Sequence, residues 1–370
     1  MPVPLLDLRA QHAQVKDDVM RAVMRVVDDQ AFILGPAVAE LESKVAELSR
    51  TRFAIGCASG TDALLLAFHA LDIGRGDEVI TTPFTFFATA GAIHNVGARP
   101  VFADIEPDTF NLSPELAAEA VTERTKAVVP VDLFGQMAVV ERFAELMPEI
   151  PIVEDAAQSI GARRRIGGEW VLAGERATIG TLSFFPTKNL GGYGDGGMMV
   201  MQDDLLATRL RRLRVHGGAT EYFHDEVGYN SRLDTLQAAV LLAKLPHLGV
   251  WSAARRDHAR YYDVALAEVA EVRTPVVGAD SESIYNQYTI RAERRDELQA
   301  FLKAAGIGSK IYYPLPLHLQ PCFAYLDYRS GRFPESERAA KEVLSLPIYP
   351  ELALSQQDET TEAIRRFFGR

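Results

Sequence analysis

Apolar residues along this chain recur at two spacings. Val38, Leu41, Val45 and Leu48 lie three or four apart, which puts them on one face of a helix opening after the Ile-Leu-Gly-Pro turn at 33–36. An earlier helix is predicted over 17–27. Short β-prone runs at 53–57, 78–82, 99–103, 127–131 and 152–154 then alternate with helical or loop segments. Two more, 181–185 and 197–201, flank a glycine-rich loop, so seven strands are expected. Such alternation predicts a mainly parallel sheet covered by helices on both faces.

The pattern loosens further on. Residues 205–215 carry Arg209, Arg211, Arg212 and Arg214 among leucines, which reads as a solvated helix face. A turn near 228 runs into a strongly helical stretch that Pro246 stops. Beyond it lie strand candidates at 271–274 and 285–291, a helix at 295–305, and a proline-rich loop at 312–318. The expected organisation is a large α/β domain over 1–245 and a small α+β domain over 246–370.

Composition narrows the function classes. A formal charge of -11 disfavours nonspecific binding to nucleic acid or anionic membranes. Two cysteines, Cys57 and Cys322, make neither a disulfide framework nor a paired metal site. Without a signal-like or membrane-spanning segment, a cytoplasmic protein acting on small molecules is expected, and no metal.

Four separated segments carry candidate chemistry. In Gly56-Cys-Ala-Ser-Gly-Thr-Asp-Ala-Leu64 an apolar strand gives way to small and hydroxyl residues before a helix. The N–H groups of Gly60 and Thr61 there suit a phosphate, although the same residues make an ordinary N-cap. The strand at 152–154 leads into Asp155 at its C-terminal end, where open α/β sheets bind ligands, with Gln158 a turn further on. Thr82-Pro-Phe-Thr-Phe-Phe-Ala-Thr89 offers a ring to lie against a planar group, or simply core. Lys188 sits between an apolar strand and Gly191-Gly-Tyr-Gly-Asp-Gly-Gly197, a setting for a partly desolvated amine that forms a Schiff base. Together these are a phosphate cup, a ring stacker, an acid for a ring nitrogen and a lysine for an aldehyde, the contacts pyridoxal 5'-phosphate needs. No P-loop appears, and the glycine run precedes a strand where a dinucleotide fingerprint would open a helix.

Ala58-Ser-Gly-Thr-Asp-Ala-Leu64, Pro83-Phe-Thr-Phe86, Glu154-Asp-Ala-Ala-Gln-Ser159, Ser183-Phe-Phe-Pro-Thr-Lys188 and Gly194-Asp-Gly-Gly197, in that order, resemble the DegT/DnrJ/EryC1/StrS family of sugar aminotransferases. The resemblance runs along essentially the whole chain. It implies the pyridoxal-phosphate-dependent aspartate-aminotransferase fold (fold type I) and a homodimer with shared active sites. It implies L-glutamate as amino donor and a nucleotide-linked keto sugar as acceptor. By motif, Lys188 would form the Schiff base and shuttle protons, Asp155 would pair with the pyridinium nitrogen, and Gln158 would contact the ring hydroxyl. Phe86 would stack on the ring, Gly60, Thr61 and Ser183 would hold the phosphate, and Asn230 would reach it from the partner subunit.

Arg232, Tyr312, Tyr313 and His318 are the matching substrate-side positions. The segments at 230–239, 285–291 and 313–318 most resemble enzymes that aminate C3 of UDP-2-acetamido-3-ketoglucuronate in lipopolysaccharide biosynthesis. Tyr312 stands where those enzymes often have histidine. Enzymes making 3-amino-3,6-dideoxy sugars on a dTDP carrier share much of the motif. Lys188 argues against the related 3-dehydratase, which has histidine there, and the full set of catalytic residue types argues against a noncatalytic regulator.

Overall fold

A computed structural model describes residues 2–218, 220 and 222–369. All seven expected strands of the large sheet form: β1 (Phe53–Cys57), β2 (Glu78–Thr81), β3 (Arg99–Phe102), β4 (Thr125–Val129), β5 (Val153–Asp155), β8 (Ile179–Ser183) and β9 (Gly197–Met201). A hairpin of β6 (Arg163–Ile166) and β7 (Glu169–Leu172) lies between β5 and β8 in sequence. The spatial order is β3-β2-β4, then β5-β8-β9-β1, the two halves being joined by parallel bridges from Val128 to Ile152 and from Val131 to Asp155. Pairing is parallel throughout except that β9 runs antiparallel to both β8 and β1. Every residue of β2 and β9 is buried, as a sheet covered on both faces requires.

Two apolar layers sandwich this sheet. One joins Leu64, Phe68 and Ile93 to Ile55, Val79 and Met199. The other joins Val38, Leu41 and Val45 to Ala54, Leu182 and Val200, so the predicted stripe on helix Pro36–Leu48 faces the sheet as its spacing required. The first helix starts earlier than the apolar pattern showed, at Leu8, because the Asp7 carboxylate caps it by accepting from the N–H of Arg9 and Ala10.

The C-terminal part builds its own core around Tyr262, Tyr288, Leu298 and Leu344. Its sheet is β10 (Val272–Arg273), β12 (Tyr288–Ala292) and β13 (Val343–Leu346), while β11 (Ser281–Glu282) adds to the β6–β7 hairpin. The strand expected from 285 starts at Tyr288 instead, since Tyr285 has φ of 44° and Asn286 turns its amide onto Asn189 at 2.7 Å. Val3 belongs to this core and pairs with Ile307, so the chain start packs with the C-terminal part. No helix among the described residues is long and apolar enough to cross a membrane.

Candidate active site

The sheet's topology converges on the ends of β5 and β8. Asp155 closes β5, only 5% exposed, and its Oδ2 accepts the Thr89 hydroxyl at 2.8 Å. Thr89 comes from the helix Ala88–Asn95, and sequence reasoning missed it although it lies in the aromatic segment. Burial pushes the Asp155 carboxyl up, while the hydrogen bonds from Thr89 and the Ala157 N–H, with the Lys188 charge, pull it back down.

Lys188 stands in the loop between β8 and β9, half-buried, its backbone N–H on the Phe185 carbonyl at 2.9 Å. Burial brings its amine down to about 8, and Asp155 opposes that shift. Such an amine is available as a nucleophile near neutrality. The glycine loop beyond it is clamped from helix Thr235–Lys244. Gln237 Oε1 accepts the Tyr193 N–H at 2.8 Å, and the Lys244 ammonium donates to the Gly191 carbonyl at 2.8 Å and lies 4.5 Å from the Tyr193 ring centre. The apolar pattern of that helix carried no hint of either contact.

At the end of β1 the two readings of the Ser/Thr segment coexist. Ser59 caps the helix Gly60–Ala70 by accepting the Asp62 N–H at 3.1 Å. The N–H groups of Gly60 and Thr61 make no hydrogen bond among the described residues. Gly60 packs so closely on β8 that a Cβ would lie 2.7 Å from the Ser183 Cβ. Ser183 closes β8, so two free N–H groups and two hydroxyls gather at one helix N-terminus, a donor set for a dianion.

Gln158 is buried and accepts the Phe134 N–H at 2.7 Å, while its amide donates to the Tyr313 hydroxyl at 3.3 Å. Tyr313, whose hydroxyl burial pushes up, packs its ring on Phe84 and Phe86. Phe86 remains 58% exposed, an apolar ring facing open space. Tyr312 stacks edge-on to Tyr313.

The remaining expected positions lie elsewhere. Asn230 is exposed, and Arg232 lines an open cavity of about 740 Å³ with His216, His224 and Glu226 but not Lys188. Among the described residues Arg232 has no ion pair. His318, expected on the substrate side, is buried. Its ring packs against Phe333 with Nε2 3.1 Å from Glu337.

These groups fit pyridoxal phosphate: an amine near neutrality for the aldehyde, a buried carboxylate for the ring nitrogen, an open aromatic face and a helix N-terminus with free donors. Comparison with known proteins agrees. The DegT/DnrJ/EryC1/StrS aminotransferase family matches residues 13–365. A Geobacillus stearothermophilus protein described as a pleiotropic regulatory protein is 52% identical over 372 residues, covering 100% of this chain and 99% of its own. The UDP-2-acetamido-2-deoxy-3-oxo-D-glucuronate aminotransferase of Pseudomonas aeruginosa is 43% identical, covering 95% of this chain and 96% of its own. The crystal structure of S. venezuelae DesV superposes with a TM-score of 0.96 at 40% identity, covering 100% of this chain and 99% of its own. The chain therefore belongs to the DegT/DnrJ/EryC1/StrS aminotransferase family and is a pyridoxal-phosphate-dependent aminotransferase.

Proposed function

We propose that this enzyme moves the amino group of L-glutamate onto C3 of a UDP-linked 3-oxo sugar of the 2-acetamido-2-deoxyglucuronate type, in the cytoplasm, for lipopolysaccharide or related amino-sugar synthesis. The observation carrying this reading is the near full-length likeness to the Pseudomonas aeruginosa enzyme, taken with half-buried Lys188 and buried Asp155.

When bound, pyridoxal phosphate supplies a protonated ring that withdraws electrons from the substrate carbon. The chain's own residues then divide the work. Asp155 holds the charge of the ring nitrogen, Gln158 orients the ring hydroxyl, and Phe86 covers one ring face. Gly60, Thr61 and Ser183 hold the phosphate. Lys188, with its amine brought down to about 8 by burial, takes a proton from the donor's carbon and returns one to the acceptor's C3. Asn230 and Arg232 act across a homodimer, Asn230 on the phosphate and Arg232 on the uronate carboxylate, for which a guanidinium with no ion pair among the described residues is suited. Tyr312 and Tyr313 border the sugar, while His318 supports their loop from within the core.

The test is the reverse half reaction. UDP- and dTDP-linked amino sugars are added singly, and loss of the visible band of the lysine-bound cofactor is followed. Discharge by the UDP-linked 3-amino uronate is expected. Discharge only by dTDP-linked 3-amino-6-deoxy sugars would overturn the substrate assignment. For the shared site, mixing Lys188→Ala with Arg232→Ala subunits is expected to restore activity, and no rescue after verified subunit exchange would refute it. The likeness to a regulatory protein favours a second reading, in which the sugar nucleotide is sensed; failure of every sugar to discharge the cofactor would favour it.

A further inference from the structure

β5 ends in two consecutive acids, and strand geometry turns them to opposite faces. Asp155 faces the cofactor side. Glu154 is fully buried on the other side, with Oε2 accepting the Gly174 N–H at 3.0 Å. Its Oε1 finds no conventional donor. The carboxyl of Asp132, also fully buried, lies on the same side of the sheet, because the bridge that pairs Val131 with Asp155 sets residues 132 and 154 on one face, and the two acids bear on each other. Two carboxyl groups can hydrogen-bond to each other only with a proton between them.

Two further bonds of Asp132 run to the Asp155 turn, and others hold its own loop. Its backbone N–H donates to the Asp155 carbonyl at 3.0 Å, Oδ2 accepts the Ser159 hydroxyl at 2.6 Å, and Oδ1 accepts the Ala138 N–H at 2.7 Å. Ser159 follows Gln158 directly. Asp132 thus ties together the backbone on either side of the two residues expected to read the cofactor ring.

We propose that Glu154 and Asp132 share one proton, the neutral Glu154 carboxyl donating to the Asp132 carboxylate, and that this pair is the positioning device for Asp155 and Gln158. Asp132 has a donor on each carboxylate oxygen, so the oxygen left to satisfy is Glu154 Oε1. Among the described residues neither has an ion-pair partner. The charged groups bearing on the pair are the acids Glu141, already paired with Arg164, and Asp155. β8 offers the Thr181 hydroxyl, which is committed to the Glu154 carbonyl at 3.1 Å. Burial, then the Asp132 charge, pushes Glu154 well above the usual carboxylate range. The proton also matters for Asp155. With both acids ionised, two uncompensated charges near Asp155 would draw a proton onto it, and it must stay charged to hold the ring nitrogen. The pair acts on Asp155 whichever sugar is aminated, so the inference rests only on the assignment of the cofactor site.

The test uses the holoenzyme with Glu154→Gln and Glu154→Leu. Glutamine replaces the O–H by an N–H donor to Asp132 and keeps an oxygen for Gly174, whereas leucine does neither. Expected is an infrared carbonyl band of a protonated carboxylic acid at neutral pH that disappears in Glu154→Gln. Cofactor dissociation should be unchanged in Glu154→Gln and about tenfold stronger in Glu154→Leu, the scale of an unsatisfied buried acceptor. A folded pKa above the unfolded one gives stability that is complete below the unfolded value and lost as pH rises toward the folded one. The wild-type melting temperature should therefore fall relative to Glu154→Gln as pH rises above the ordinary carboxylate range. Absence of the band in wild type, its persistence in Glu154→Gln, or equal impairment in both variants would overturn the proposal. The wild-type band needs no variant to fold, and none of these readouts depends on sugar turnover.

Discussion

Thr89 donates its hydroxyl to Oδ2 of Asp155 at 2.8 Å, and so joins the helix Ala88–Asn95 to the end of β5. This bond is one of the causes holding the Asp155 carboxyl down against its burial. Thr89→Val keeps the shape and removes the donor. The carboxyl then rises further, and the ionised form, present above its folded pKa, is lost at a higher pH than in wild type. Cofactor binding should weaken about tenfold, the scale of a hydrogen bond to a charged group, and the deficit should grow as pH falls. Titration of the cofactor into apoprotein across a pH series checks this, with Thr89→Ser retaining affinity.

Lys188 should reveal its burial in two ways. An amine attacks the cofactor aldehyde only when unprotonated, so covalent attachment to apoprotein should accelerate about tenfold per pH unit and level off above the folded value, which is about 8. The folded pKa lies below the ordinary lysine value, so the folded state binds fewer protons than the unfolded one between them. Stability from this residue therefore rises with pH from about 8 to the ordinary value of 10.5. Lys188→Met apoprotein should melt higher than wild type at neutral pH and lack that slope in thermal unfolding.

The strands that carry the site were legible because buried parallel strands are continuous apolar runs ending in small or polar residues; β1, β5 and β8 place Ser59, Asp155 and Ser183 by that rule. The hairpin at 163–172 was not, even though Gly167 and Gly168 have φ of 60° and 88°, as a two-residue hairpin turn demands. Three successive arginines hid its alternation, and the guanidiniums of Arg163 and Arg165 instead cover the Trp170 ring at 4.5 and 4.9 Å. Thr89, Gln237 and Lys244 act on partners far along the chain, which no local periodicity encodes. Glu154 stood in view beside Asp155, yet its partner Asp132 comes from the loop after another strand.

Lys244 is a buried ammonium whose ligands are the Gly191 carbonyl at 2.8 Å, Gln11 Oε1 at 3.3 Å and the Tyr193 ring face. It couples the first helix to the glycine loop that follows Lys188. Burial brings it down to about 8. Lys244→Met keeps the bulk but leaves the Gly191 carbonyl without its donor, at a cost of about 1–3 kcal/mol. Faster amide hydrogen exchange over 189–195 is expected, with slower half reactions at an unchanged number of cofactor sites. Unaltered exchange in that loop would show that Gln237 alone holds it.

Gly60 offers the sharpest check on the phosphate end of the site. A Cβ there would meet the Ser183 Cβ at 2.7 Å and its Cα at 3.3 Å, closer than van der Waals contact allows, and the obstacle is part of β8 rather than a movable side-chain tip. Gly60→Ala must therefore separate the helix N-terminus from Ser183 and splay the donors proposed to hold the phosphate. Binding of pyridoxal phosphate should weaken by at least about tenfold, since charge-assisted hydrogen bonds of about 1.5–3 kcal/mol each are at stake. Pyridoxal without its phosphate, held by Lys188 and Asp155 alone, should bind wild type and variant alike. The ratio of the two affinities isolates the phosphate contribution, so its collapse in Gly60→Ala places the grip at the start of this helix. Equal loss for both ligands would mean instead that the substitution disturbs the packing of this helix on β8 as a whole and that the phosphate lies elsewhere.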